Sequence, residues 1–459
     1  MTQPLTRLVG EFIARNSFER IPADAVALAR HGFTDYAAVN ILGRDTPIAR
    51  LLKSMATVGR NGEARLSFTR ERTASLSAAL INGAAGHALD YDDIGIGAHP
   101  AHPTVVLAPA ILAEAEALEL SGRAMLAAYI TGYEVWGELA KRDRTPHHVK
   151  GWHPTATFGA IASAAAVANL RGLDAGRAAA AVAIAASQAG GIVANYGTMT
   201  KPFHAGRANH VGVLSARLAE AGMTAAPDAL ENAKGFLRAI SPKGEVDLET
   251  PPTLGKEWWI LRHGPGFKLY PLCYGNHRAI SGMLALREER GFTGADIDAI
   301  ELEMGPVQLV SLVNHDPKTG LEAKFSAEFA MAMVALTGRA SLAELTDAFV
   351  LRRDVRDLMA RVKLIANPAA DPESHDGQPK DRLSVRLKNG TQLDRKLDHP
   401  RGHPSRPITP AELWGKFSDC VQDALSPDAA RRMFDSLQSL EKLVSVAALP
   451  VVEAAEVRA

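Results

Sequence analysis

The stretch LDYDDIGIGAHPAHPT, residues 89–104, crowds Asp90, Asp92, Asp93, His99 and His102 into one short segment. Carboxylates and imidazoles this close can bind a divalent cation, move protons, or form nothing more than a polar loop. The spacing matches no metal signature with a known mechanism, such as His-Glu-x-x-His on a helix. His99 and His102 lie on proline-punctuated chain, where an i,i+3 pair does not share a helical face. No metal ligand is assigned, acid/base chemistry is the first reading, and a metal-dependent hydrolase is kept as the alternative. Asp90 and Asp93 would share a face, with His87 one turn earlier, if the preceding helix runs that far. Acidic residues are electrostatically unfavourable at a helix C-terminus, and a local inconsistency of that kind points towards function.

The steps His102-Pro103, His153-Pro154 and Lys201-Pro202 each put a basic residue directly before proline, with a helix-like stretch beginning nearby. Proline drives the preceding residue into extended backbone and is welcome in a first helical turn. The basic side chain is then expected just outside a helix N-terminus, where unpaired N–H groups and the dipole favour an anion. Any one of these residues alone is more simply a solvated or hydrogen-bonded side chain. Together with the acidic run, in an apolar helical region, they suit a substrate that carries several carboxylates. GPGFKLYPLCYGNH, residues 264–277, adds Lys268, Tyr270, Tyr274 and His277 at a Gly/Pro-rich joint. A Walker motif, a G-x-G-x-x-G in a βαβ context and a Gly-x-Ser-x-Gly elbow are all missing. Nucleotide, nicotinamide and serine-hydrolase readings therefore have no support.

These residues must be positioned by helices. Hydrophobic residues make up 47% of the 459 and aromatics only 6%, so the core is expected to rest on Ala, Leu, Val and Ile. Up to about residue 240 the pattern is helical, with Pro22 near one helix start, Ser121 and Asp174 as N-caps, and an Ala-rich segment from 175 expected to be buried on all sides. After about 265 the alternations IDAIELEMG and LSVRLKNGTQLDRKLDH read as strands, the second with an Asn389-Gly390 hairpin turn. FSAEFAMAMVAL and LAELTDAFVLRRDVRDLMARV read as helices, and 366–381 as a polar loop. The expectation is a mainly α protein: an all-α domain from 1–265 plus 405–459, with a smaller α+β lid domain inserted at 266–404. A cleft between the two is the default place for a small-molecule site.

Lys+Arg and Asp+Glu both number 51, so the balanced charge gives no reason to expect nucleic acid or an anionic membrane as partner. Cys273 and Cys420 stand far apart, which speaks for a reducing, cytoplasmic setting. The N-terminal segment reads as an amphipathic helix instead of a signal peptide.

The blocks ALINGAAGHALDYDD, AHPAHPT, GWHPTATFGAIASAAAVANLRGL, MTKPFHAGRANHVGVLSARLAEAGMTA and GFKLYPLCYGNH together resemble the MmgE/PrpD family. That family includes 2-methylcitrate dehydratase, cis-aconitate decarboxylase and iminodisuccinate epimerase. The resemblance covers nearly the whole chain and implies an all-α domain with an inserted lid, a homodimer, and activity without metal or organic cofactor. Carried over residue by residue, it implies active-site positions at Asp90, His102, His153, Lys201 and Lys268. Against the decarboxylase branch, the loop IGIGAHPAHP is longer by two residues, Ile94 replaces a threonine and Leu309 replaces a tyrosine. A lost hydroxyl donor discriminates strongly between substrates.

The expected function is a metal-independent lyase acting on a small di- or tricarboxylate, 2-methylcitrate dehydratase-like. The alternatives are an iminodisuccinate epimerase-like isomerase and, after it, a cis-aconitate decarboxylase. Asp90, His102, His153 and Lys201 are the expected catalytic residues, with Lys268, His277 and His99 binding substrate. Asp90 would orient His102 or act as base itself.

Overall fold

The computed structural model describes residues 4–96, 99, 101–143, 145–368 and 381–452, apart from the side chain of Val307. The expected 366–381 loop lies almost wholly outside the described residues, as do positions 97, 98 and 100 of the acidic stretch. Helix accounts for 56% of the chain, and the remaining regular structure is dominated by one small mixed sheet, so the mainly α expectation holds.

The helical part is built from α1 (Leu5–Arg15), α2 (Ala23–Gly43), α3 (Ser75–His87), α4 (Pro103–Ala117), α5 (Gly122–Ala140), α6 (Pro154–Leu170), α7 (Ala175–Ala186) and α8 (Thr200–Glu220). Ser121 caps α5 by accepting from the Ala124 amide, and Asp174 caps α7 by accepting from Arg177. The helix buried on nearly every side is α6; α7 instead leaves Gly176 and Arg177 exposed and buries Ala178, Ala181, Val182 and Ala185. Composition alone did not separate the two, because Ala is at home on either kind of face. Small residues let the helices approach closely. A Cβ on Gly206 of α8 would lie 2.3 Å from the Leu80 carbonyl of α3, and one on Gly132 of α5 2.8 Å from the Ala162 carbonyl of α6.

Helix α4 carries Pro109 in its interior, which removes one N–H and pushes the ring against the preceding turn. Asn209 of α8 answers both consequences. Its amide donates to the Val105 carbonyl at 2.7 Å, the acceptor that Pro109 cannot serve, and its oxygen accepts from the Ala110 amide at 3.0 Å.

The smaller part begins after the two-residue ladder of β1 (Ile94–Gly95) with β2 (Pro265–Gly266), which ties the acidic stretch to the 264–277 joint. It contains α9 (His277–Arg290), β3 (Ile297–Met304), α10 (Ala327–Thr337), β4 (Val362–Ala366), β5 (Arg382–Leu387) and β6 (Gln392–Lys396). The sheet order is β4-β3-β5-β6, with β3–β4 parallel and the other pairs antiparallel. Ile300, Leu302 and Met304 of β3 face a core shared with Met283 and Leu286 of α9 and Phe329 and Met333 of α10. Gly390 at φ +86° makes the expected hairpin turn. The helical reading of LAELTDAFVLRRDVRDLMARV extends too far: the regular helix there ends at Met359, and Val362 starts β4, whose pairing with β3 overrides local propensity.

Two apolar cores result. One joins Leu5 through Phe267 with Ile408 through Val452; the other runs from Leu272 to Leu397. The chain returns to the first through α11 (Pro410–Val421) and α12 (Pro427–Leu437). Among the described residues no helix is long and apolar enough to cross a membrane.

Asn209→Ala removes both repairs of the Pro109 break and leaves a buried carbonyl and a buried amide without partners. It is expected to cost about 2 kcal/mol or more, measured by denaturant unfolding; an unchanged midpoint would refute this account of α4.

Candidate active site

The acidic stretch does not continue α3. The helix stops at His87, and Asp90 adopts the left-handed conformation at φ +51°, so Asp90, Asp93 and His87 do not share a helical face as the spacing suggested. Asp is one of the few side chains that tolerate this backbone. The turn directs successive carbonyls into the protein, where they meet ammonium groups. The Leu89 carbonyl accepts from Lys324, the Asp90 carbonyl from Lys268 at 2.7 Å, and the Tyr91 carbonyl from Lys416 at 2.6 Å. These lysines answer the electrostatic objection to carboxylates at a helix C-terminus.

The Asp90 carboxylate is gripped on both oxygens, Oδ1 by Lys201 and Oδ2 by Lys268 at 3.1 Å. Burial works against its charge, but the two ammonium groups hold its carboxyl well below the usual carboxylate range. It is therefore an anion whose charge two cations already match, and its low proton affinity fits it poorly to act as a base, although its Oδ2 makes no hydrogen bond. The lysines are as enclosed as their partner, Lys201 at 5% exposure and Lys268 at 0%. The Lys201 ammonium also lies over the rings of Phe325, at 4.8 Å, and Tyr196, at 5.2 Å.

Asp92 does what Asp90 was expected to do. Its carboxylate meets Nδ1 of His102 at 2.9 Å and Nδ1 of His87 at 3.0 Å. The His102 Nδ1 also faces the Asp93 carbonyl at 2.9 Å. Both neighbours of that nitrogen can only accept, so Nδ1 carries the proton and a neutral His102 has its lone pair on Nε2. That Nε2 lies 3.8 Å from Asp90 Oδ1. His153 sits on the other side of His87, with ring centroids 6.1 Å apart, and its Nδ1 meets Nδ1 of His204 at 3.1 Å. One of those two nitrogens donates, and Nε2 of His153 is buried without a partner. Burial lowers the pKa of both His102 and His153, so near neutral pH both rings are uncharged.

Of the residues expected from sequence, Asp90, His102, His153, Lys201 and Lys268 converge. His102 and His153 stand as foreseen just before the N-termini of α4 and α6, whereas Lys201 lies inside the first turn of α8. His99 bonds elsewhere: its Nε2 meets the Asp143 carbonyl at 2.8 Å and its ring packs on His147 and Phe158. His277 faces the Leu272 carbonyl at 3.1 Å between the rings of Tyr270 and Tyr274. Neither hydrogen bonds to the Asp90 cluster, so their substrate-binding assignment has no direct geometric support. Sequence reasoning missed the roles of Asp92, His204 and Lys324. Asp92 was visible in the acidic run, but only the turn at Asp90 decides which carboxylate faces the imidazoles.

His87, Asp90, Asp92 and His102 could each offer one donor atom to a cation, all within 4.8 Å of one another. The types suit a divalent transition metal. A cation taken up by the ring nitrogens not facing Asp92 would leave the Nδ1 protons in place, but it would lie beside the ammonium groups that already hold Asp90. The donors are better matched to a proton network.

Buried neutral histidines give the protein a defined acid sensitivity. Burial pushes His87 down to about 4 and His277 to about 3, against 6.5 for the free side chain. Below pH 6.5 the unfolded chain takes up protons that the folded state refuses, so stability falls as pH drops towards 4, by up to about 1.4 kcal/mol per pH unit for each such residue. Calorimetric melting between pH 7 and 4.5 should show this decline; a flat profile would mean the rings are not held neutral.

Residues 7–249 match the MmgE/PrpD N-terminal domain and residues 270–442 the MmgE/PrpD C-terminal domain. The chain is 31% identical over 379 residues to a cis-aconitate decarboxylase from Mus musculus, covering 80% of this chain and 76% of the relative. A Homo sapiens protein of the same name is 30% identical over 381 residues, covering 80% and 76%. A cis-aconitate decarboxylase-like protein, oryM, from Aspergillus oryzae is 25% identical over 453 residues, covering 94% and 93%. With both domains matched in order around the Asp90 centre, this chain is an enzyme of the MmgE/PrpD family.

Proposed function

We propose that this enzyme is a metal-independent lyase acting on a small di- or tricarboxylate, with dehydration as its reaction. The observation that carries the reading is the meeting of Lys201 and Lys268 on one carboxylate beside the open Nε2 of a neutral His102. Ammonium groups held in a nearly dry site can take up substrate carboxylates and the charge that develops next to them. In the proposed step the C–H bond adjacent to a carboxylate breaks and its proton passes to His102 Nε2. The electron pair is delocalised into the carboxylate, facing the ammonium groups of Lys201 and Lys268. It then forms the carbon–carbon double bond as the β C–O bond breaks, the hydroxyl leaves as water with the Nε2 proton of His153, and the proton taken up by His102 returns to His153 so that both rings end neutral. With His204 Nδ1 as donor, His153 carries its proton on Nε2, as that role requires. Asp92 holds the His102 tautomer and stabilises the imidazolium formed.

Decarboxylation of cis-aconitate is the second reading, supported by the names of the relatives. There a carbon–carbon bond breaks, carbon dioxide leaves, and the remaining electron pair is protonated by the same imidazoles. Two side chains favour dehydration. Ile94 is buried in β1 and Leu309 is half-buried, and both are alkyl at positions where the decarboxylase branch resembled by this sequence has a hydroxyl. An epimerase would use the proton transfer alone.

The distinguishing measurement is a proton NMR time course in D2O with 2-methylcitrate, citrate, cis-aconitate and iminodisuccinate, with and without chelator. Loss of water indifferent to chelator is expected. Itaconate formation would replace dehydration by the second reading, and deuterium exchange without elimination would replace both by epimerisation. Activity that vanished with chelator would restore the metal-dependent alternative. His102→Ala and Lys201→Ala should each lower kcat by about 100-fold or more with the melting curve still cooperative; near-full turnover in either would refute the assigned roles.

A further inference from the structure

Lys324 has no place in the chemistry described so far, yet it is buried at 3% exposure beside the Asp90 turn. It follows the short helical turn Gly320–Ala323 in the smaller part of the molecule. Its ammonium donates to the Leu89 carbonyl, one residue before Asp90, and to the Pro271 carbonyl at 2.8 Å, three residues after Lys268. Its own carbonyl accepts from the Cys273 amide at 3.0 Å and the Asn276 side chain at 3.3 Å. The next residue, Phe325, supplies a ring beneath the Lys201 ammonium. One short segment thus touches the supports of all three members of the Lys201–Asp90–Lys268 group.

We propose that Lys324 is a positioning residue for the Asp90 centre: its ammonium ties the Leu89 turn to the Pro271 joint, fixing Asp90 and Lys268 in register, and adds a third positive charge to the field that receives substrate carboxylates. A strap alone would not need a charge. Both hydrogen-bond partners are neutral carbonyls, and burying an unpaired cation is costly. The charged groups that act on Lys324 are Asp90 and Asp92, which favour its ammonium form, and Lys268 and Lys201, which oppose it. Desolvation is the largest influence and brings its pKa down to about 7. A cation held so close to neutrality is readily stabilised by an incoming carboxylate and readily lost as the solution becomes alkaline.

The sign of the pH effect follows. The ammonium form is present below pH 7 and falls away above it, so activity that depends on this charge has an alkaline limb near neutrality. A guanidinium stays charged throughout. The catalytic half of this inference rests on the lyase reading above; the positioning half does not. The test uses the full chain with Lys324→Arg and Lys324→Met, followed by pH profiles of kcat/KM and by hydrogen exchange of the 87–95 and 268–273 segments. Lys324→Arg should keep kcat/KM at pH 6.5 within tenfold and move the alkaline limb up by at least one pH unit. Lys324→Met should lower kcat/KM about 100-fold, abolish that limb and speed exchange in both segments, while exchange in α6 stays as in the parent. An alkaline limb unmoved in Lys324→Arg overturns the electrostatic role, and unchanged exchange in Lys324→Met overturns the positioning role. If Lys324→Met does not fold, Lys324→Gln, which keeps a donor for one carbonyl without the charge, carries the same readouts. Should no polycarboxylate be turned over by the parent enzyme, the lyase reading fails and the exchange experiment still decides the positioning role.

Discussion

The site depends on how the chain leaves α3. A helix C-terminus presents unpaired carbonyls and a negative dipole end, and this one is followed by three aspartates in four residues. Left in water, such a segment would fray into an ordinary acidic loop. Here the left-handed Asp90 turns it inward, and lysines from three distant parts of the chain take up the carbonyls of Leu89, Asp90 and Tyr91. None of these lysines could be buried without the carbonyls and carboxylates, and the turn could not be buried without the lysines. The arrangement is mutually dependent, so the parts that supply it are held in a common geometry.

That dependence explains features remote from the turn. Lys416 comes from α11, after the excursion through the smaller core, and also pairs with Asp35 of α2 at 2.6 Å, binding the returning chain to the start of the helical part. Lys268 comes from the joint itself and Lys324 from the smaller part beyond it. The close packing of α3 on α8 at Gly206 brings Lys201 and His204 to the same place. Asn209 keeps α4 intact across Pro109, and α4 is the helix that begins immediately after His102.

The carboxylates of the acidic run end with separate tasks, although they are chemically alike. Asp90 neutralises ammonium groups; Asp92 orders two imidazoles. Asp93 is wholly buried, and desolvation raises its pKa well above the usual range, with Thr104 donating to it and the charges of Asp35 and Asp92 nearby. Environment sets these roles: two cations for the first, two ring N–H groups for the second, and mainly apolar burial for the third.

Residue order alone was enough for the mainly helical class, the hairpin at Asn389-Gly390 and the caps at Ser121 and Asp174, and the resemblance to the MmgE/PrpD family carried by its motifs implied Asp90, His102, His153, Lys201 and Lys268 as one chemical group. Those features are local, or are written in motifs whose residue types have few other uses. Local spacing could not show that α3 stops at His87, because a buried turn against lysines hundreds of residues away overrides the helical pattern. For the same reason it proposed Asp90 where Asp92 orients His102, carried the helical reading into β4, and passed over Lys324. Which carboxylate meets which cation is decided by direction and distance in three dimensions, and a sequence records neither.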